Sequence, residues 1–268
     1  MTAPRVVRAQ RIVVPAPWAW AVWGGVLGLA GAFLLFAPAQ WLASAVARAS
    51  NGQLLLNDAR GTVWTGSAQV VLTGGQGSAD AAALPGRLEW RLRPRWDGAW
   101  VRLRSECCLR QPLDVRLRAR LRGADVDISD SVSQWPASVM AGLGTPWNTL
   151  QLDGGLQLST QGLSVEWAEG RPAVTGRAEL VAQRLSSRLS TLRPMGSYRI
   201  TLQGGTSTTL RVETLEGSLQ LSGSGQWVGA RLRFQGEASA APDREAALSN
   251  LLNIIGRRSG PRSLITIG

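Results

Sequence analysis

Two kinds of side chain in this sequence have the types and spacing to do chemistry. The first is the adjacent pair Cys107-Cys108, which holds both of its cysteines. Neighbouring Cα atoms lie about 3.8 Å apart, below the usual disulfide range of about 4.4–6.8 Å, and on a strand the two side chains would face opposite sides. Three readings stay open: free thiols with one in the core, a vicinal disulfide in a turn, or a bridge to another molecule. The second is arginine at alternate positions: Arg87, Arg91, Arg93, Arg102, Arg104, Arg116, Arg118, Arg120 and Arg122, with Glu89 and Asp114 as the main acids among them. Like charges on neighbouring strands repel, so such a face wants anions. Arg91, Arg93, Arg118 and Arg120 are the candidate partner or headgroup face; the plainer reading is a solvated surface.

The remaining composition removes chemistry instead of adding it. His is absent, which excludes His-based triads, general bases and metal sites. The 29 basic residues are all Arg, so a Schiff-base or phosphate-loop Lys is excluded too. The serines lack a G-x-S-x-G elbow, and Ser222-Gly223-Ser224-Gly225 is followed by no helix pattern. Asp125 and Asp127 share one strand face, where solvent explains them better than proton transfer. No enzyme and no cofactor is expected. The formal net charge of +11 then needs a location.

Hydropathy supplies one. Trp18 to Phe36 carries no charged or polar side chain other than indole, and at about 1.5 Å per residue it spans roughly 28 Å. Trp18, Trp20 and Trp23 at one end and Trp41 at the other are placed like interfacial anchors. Arg5, Arg8 and Arg11 precede the run and only Arg48 follows closely, so the positive-inside bias keeps the N-terminus in the cytoplasm. The division expected is a short basic cytoplasmic tail over 1–17, a transmembrane anchor over 18–47 and a periplasmic domain over 48–268. Ala37-Pro38-Ala39 and Ala43-Ser44-Ala45 resemble signal cleavage sites, but the apolar run is longer than a signal peptide's.

From Asn51 onward the period changes to two. Leu88, Trp90 and Leu92 alternate with charged residues, and Leu113, Val115, Leu117, Ala119 and Leu121 alternate with Asp114 and four arginines up to Arg122. Such alternation means an antiparallel sheet with one face buried and one wet. Gly74-Gly75, Gly154-Gly155 and Gly204-Gly205 punctuate further strands. Short helices are expected near Trp135–Leu143 and Pro242–Gly256, the second capping the sheet's core. Trp64, Trp90 and Trp147 are expected to be buried. The fold class is mainly β: an N-terminal transmembrane helix, then a twisted, curved antiparallel β-sheet domain with two short helices.

Four blocks, in order behind the apolar run, resemble a known family. They are Gly61-Thr62-Val63-Trp64-Thr65-Gly66; Pro136-Ala137 through Leu143-Gly144-Thr145-Pro146-Trp147-Asn148-Thr149-Leu150 to Gly154-Gly155-Leu156; Ser187-Arg188-Leu189-Ser190 through Pro194-Met195-Gly196-Ser197-Tyr198; and Arg233-Phe234-Gln235-Gly236-Glu237-Ala238 with Leu251-Leu252 to Gly256-Arg257-Arg258. They are similar to those of the inner-membrane protein N of the type II secretion system, with Met195 where Leu is usual. The resemblance implies a non-catalytic accessory subunit in the inner membrane of Gram-negative bacteria. It would be single-pass, with the inner-membrane platform and the secretin as partners. A lipid-handling β-groove is the rival, with membrane lipid along the apolar face. Nucleic acid is not expected beyond a membrane.

Overall fold

A computed structural model describes residues 18–120, 123–168, 171–229 and 231–268. The expected cytoplasmic tail with Arg5, Arg8 and Arg11, and the end of one predicted strand at Leu121 and Arg122, lie outside the described residues. The chain divides into two compact units between Ala37 and Pro38.

The first unit contains helix α1 (Trp18–Leu35), 18 residues without a charged side chain. Among the described residues no helix is long and apolar enough to cross a membrane. The apolar run, expected to continue as one segment to Ala47, is broken at Pro38. Proline lacks the N–H a helix interior needs, and Pro38 is extended at φ −64°, ψ 145°. Helix α2 (Ala39–Ala49) follows in the second unit, with Ala39 buried and Leu42 packed beside Ala68 and Trp90.

That second unit is built on strands β1 (Leu54–Gly61), β2 (Thr65–Thr73), β3 (Ala81–Ala83), β4 (Leu88–Arg95), β5 (Gly98–Ser105), β6 (Leu113–Arg120), β7 (Gly123–Ile128) and β8 (Ser131–Pro136). A 3₁₀ turn over Ala137–Leu143 and helix α3 (Trp147–Leu150) separate these from β9 (Leu152–Ala168), β10 (Arg171–Ser187), β11 (Gly196–Gln203), β12 (Thr209–Gly217), β13 (Leu219–Val228) and β14 (Arg231–Ala240). Helix α4 (Glu245–Ile255) precedes the closing strands β15 (Arg257–Ser259) and β16 (Arg262–Ile267). All pair antiparallel in one sheet that runs from β1 through β2, β4, β5, β6, β7, β9, β10, β11, β12, β13, β14 and β16 to β15. β3 adds to β2, and β8 to β9. Most neighbours in the sheet are neighbours in sequence, as short Gly-containing turns require.

Where the apolar face is covered, helices and turns cover it. Leu248, Leu251 and Leu252 of α4 are the most deeply buried large side chains, packed with Leu156, Ala182, Leu185, Tyr198, Leu219 and Ala238 of the sheet. The expected capping helix over Pro242–Gly256 is this element. Three of the four family-like blocks meet there. Ser187 Oγ donates to the Leu150 carbonyl (2.5 Å), Ser190 Oγ to that of Ala247 (3.0 Å) and Ser263 Oγ to that of Leu252 (2.6 Å). The Leu150 and Leu252 carbonyls lie in the last turns of their helices, where such groups lack an intrahelical donor, so the Ser187 and Ser263 hydroxyls supply one.

The remaining block is the β1–β2 turn. Trp90 on β4 is 4% exposed, and its indole Nε1 donates to the carbonyls of Thr62 (3.2 Å) and Val63 (3.1 Å). A Cβ on Gly66 would sit 2.5 Å from that ring, so the close approach needs glycine there. Of the three tryptophans expected in the core, only Trp90 is fully buried; Trp64 and Trp147 are partly buried. Trp90 comes from the neighbouring strand and fills the space behind the turn.

Tyr198 gives the core a pH dependence. Its hydroxyl donates to the Leu219 carbonyl (3.1 Å), and burial pushes its pKa above the ordinary value of 10.0. A group whose folded pKa is raised leaves stability intact below the unfolded pKa, and stability is lost as pH rises towards the folded value. Unfolding free energy should therefore fall above about pH 10, and Tyr198→Phe should flatten that fall. An unchanged slope in alkaline denaturation of the variant would contradict the assignment.

Candidate functional site

The wet face of β4, β5 and β6 follows from register. Arg91 pairs across the strands with Arg102 and then Asp114; Arg93 pairs with Trp100 and then Arg116; Glu89 pairs with Arg104. Alternation puts all of these on one side, opposite Trp90, Leu103, Val101 and Val115. Trp100 is half-buried, and the guanidinium carbons of Arg93 and Arg102 lie 5.5 and 4.6 Å from its ring centroid.

The four arginines singled out from sequence divide into two pairs. Arg118 pairs with Asp127, and Arg120 pairs with Asp125 (2.6 Å) and Glu166 (2.9 Å). The aspartates that looked like solvent-facing residues are thus the partners of the arginine row, and Asp125 is buried at 6%. Arg91 and Arg93 have no carboxylate partner among the described residues, and neither do Arg104 and Arg116; all four are exposed. Arg102 is held bidentate by Asp114 at 2.8 and 3.0 Å, which raises its pKa further. At the edge of the same region Asp58 has its pKa lowered by hydrogen bonds from Arg60 and then Arg87.

Sequence reasoning passed over Trp100. Its signal was present: in Gly98-Ala99-Trp100-Val101-Arg102-Leu103-Arg104 it falls on the arginine parity, a large aromatic on a face otherwise charged.

Cys107 and Cys108 are joined by a disulfide in the connection between β5 and β6, with Cα atoms 3.7 Å apart. The connection is a turn, so the strand geometry that would separate the side chains does not apply. Cys108 is buried at 2% beside Val70, Leu84 and Val139, and its carbonyl accepts from the Gln134 N–H (2.8 Å). Cys107 is exposed, and Ser105 Oγ lies 3.2 Å from its Sγ.

On the opposite face Leu117, Val126, Val165 and Val174 continue as an apolar row next to Ala124, Trp167 and Pro172. Leu117 is 39% and Trp167 52% exposed. Among the described residues no three His, Cys, Asp or Glu side chains gather to hold a metal ion. What the arrangement offers is charge, an indole held between two guanidinium groups and an open depression, which is equipment for binding.

A family model described as type II secretion system protein N matches residues 52–265. No curated protein and no solved structure matches the chain.

Proposed function

Because the chain belongs to the type II secretion system protein N family and is thus a component of such a system, we propose that it serves as a non-catalytic subunit anchored in the inner membrane. There it supports the export of folded proteins from the periplasm across the outer membrane. The observation that carries this is the extent of the match, 52–265, which takes in nearly the whole sheet unit. The inner-membrane platform and the secretin are its proposed neighbours.

Anchoring rests on α1. Trp18, Trp20, Trp23, Leu27, Phe33 and Leu34 are all more than half exposed, on several sides of one helix. A helix apolar all round suits a protein core or a bilayer. Eighteen residues measure about 27 Å, a little under the roughly 30 Å of a hydrocarbon core; local thinning absorbs a mismatch of that size. The proposed anchor is therefore α1, and α2 stays with the periplasmic sheet.

Deleting the gene in its host should leave secreted substrates in the periplasm, with recovery on complementation. Normal secretion without the gene would count against the role. Alkaline phosphatase fused after Gly268 should be active, whereas a reporter that works only in the cytoplasm should be silent. The reverse pattern would overturn the orientation.

A second reading, lipid held along the apolar face, draws on half-exposed Leu117 and Trp167. Mass spectrometry of the purified chain tests it: stoichiometric phospholipid lost on Leu117→Asp would favour that reading over a scaffold.

A further inference from the structure

We propose that Trp100 and the uncompensated arginines around it form a docking site for an acidic segment of a partner protein. This deepens the subunit role above and rests on it only for the identity of the partner.

Several arginines in the sheet are balanced by carboxylates. Arg118, Arg120, Arg177, Arg199 and Arg262 each meet a carboxylate on their own or a neighbouring strand. The sequence can evidently place acids where arginines need them. At the β4–β6 patch Arg91, Arg93, Arg104 and Arg116 crowd together without an ion pair among the described residues, although Glu89 stands across from Arg104 and Asp127 across from Arg116. Arg91 lies directly across from Arg102, whose own charge Asp114 has taken, and Arg93 and Arg116 stand on either side of Trp100. Such a cluster is costly without a partner, because like charges on adjacent strands repel.

Trp100 stands at the centre of these charges. Part of the patch is a depression of about 760 Å³ lined by Arg93, Trp100, Arg102, Asp114, Arg116 and Arg118, and Arg91 and Arg104 line a neighbouring one that shares Arg102. A guanidinium over an indole gains strength as water is excluded. Tryptophan and arginine are also the residues that dominate the binding energy of protein interfaces. Free guanidinium groups can accept carboxylates in bidentate fashion.

The interspersed acids choose between protein and lipid. Glu89 and Asp114 stand among the arginines, and Asp97 lines the same depression. A bilayer presents anionic headgroups without pattern and meets those carboxylates with repulsion. A polypeptide can place its own acids opposite Arg91, Arg93, Arg104 and Arg116 and avoid the rest, which is how mixed-sign surfaces select a partner.

The test uses the full-length chain in neutral detergent micelles and a fluorescein-labelled peptide of alternating Glu and Ser, read by anisotropy. Binding should weaken as ionic strength rises, and a Gln-Ser peptide should not bind. Arg91→Gln/Arg104→Gln/Arg116→Gln should weaken binding by at least about tenfold. Trp100→Leu should weaken it by several-fold with all charges kept. Arg177→Gln/Arg262→Gln should stay within about threefold of the parent, since those charges are already paired and lie on other strands. The Arg→Lys triple variant keeps the charge but not the bidentate fork, so it should fall between. Thermal melts check that each variant is folded. Three results would overturn the proposal: a triple Gln variant that binds like the parent, equal loss in the Arg177/Arg262 variant, or arginine-dependent capture by phosphatidylglycerol vesicles with the peptide ignored. Secretion by a deletion strain is independent of these readouts, so failure of the subunit role and failure of this site are distinguishable.

Discussion

Replacing Trp90 by Ala should lower the unfolding free energy by about 3–5 kcal/mol. The indole is 4% exposed and packs with Ala39 and Ala68, with Leu42, Leu56 and Leu103 around them. Its loss would leave a cavity and also remove the Nε1 donor shared by the Thr62 and Val63 carbonyls. Both effects fall on the Gly61–Gly66 turn, so β1 and α2 should loosen along with it. Chemical denaturation of the detergent-solubilised protein, followed by far-UV circular dichroism, measures the loss. Trp64→Ala is the control from the same turn. Its side chain is only partly buried, so its cost should be distinctly smaller. Equal costs would mean that the plug behind the turn has been misassigned.

The other large effect is expected at α4. Leu252 has no exposed surface, and its carbonyl accepts from Ser263 Oγ at 2.6 Å. Leu252→Ala should cost about 2–5 kcal/mol, the range for a buried leucine whose cavity cannot collapse. Collapse is resisted here because the helix packs on the same core as Leu185, Tyr198 and Leu219. Leu264→Ala, on β16 with 47% exposure, should stay within about 0.5 kcal/mol. In cells the Leu252 variant should be depleted by proteolysis before any secretion defect is attributed to a binding surface. Normal abundance and unchanged denaturation of Leu252→Ala would place the core elsewhere.

These contrasts also bear on function. Substitutions in the family-like blocks should act through stability, because Gly66, Ser187, Met195 and Leu252 are occupied with close approach, carbonyl pairing and burial. Substitutions at Arg91, Arg104 or Arg116 should act without it, because these side chains are exposed and unpaired. Loss of secretion with a normal melting curve would therefore point to the β4–β6 face, and loss with a lowered curve to the α4 core.

Alternation by itself determined that Leu88–Arg93 and Leu113–Arg120 are strands and which side of each is wet, since a period of two is a local property of the backbone. The lack of His and Lys by itself removed most catalytic designs. Pro242 through Gly256 read as a helix from its own apolar stripe; the structure starts that helix at Glu245 and adds what it touches. Tertiary structure alone decided the partners. Whether Arg118 is balanced and Arg91 is not depends on the register that sets Asp127 near one and Arg102 beside the other, and register is fixed by pairing between strands, not within them. The same holds for Trp90, whose plug role depends on β4 lying against the β1–β2 turn. It holds as well for the break at Pro38: hydropathy joins residues 18–47 into one run, but Ala39 and Leu42 are drawn onto the sheet by apolar side chains that lie between roughly 15 and 60 positions away along the chain. A local pattern records which faces are apolar or charged; only the packed chain shows what each face meets.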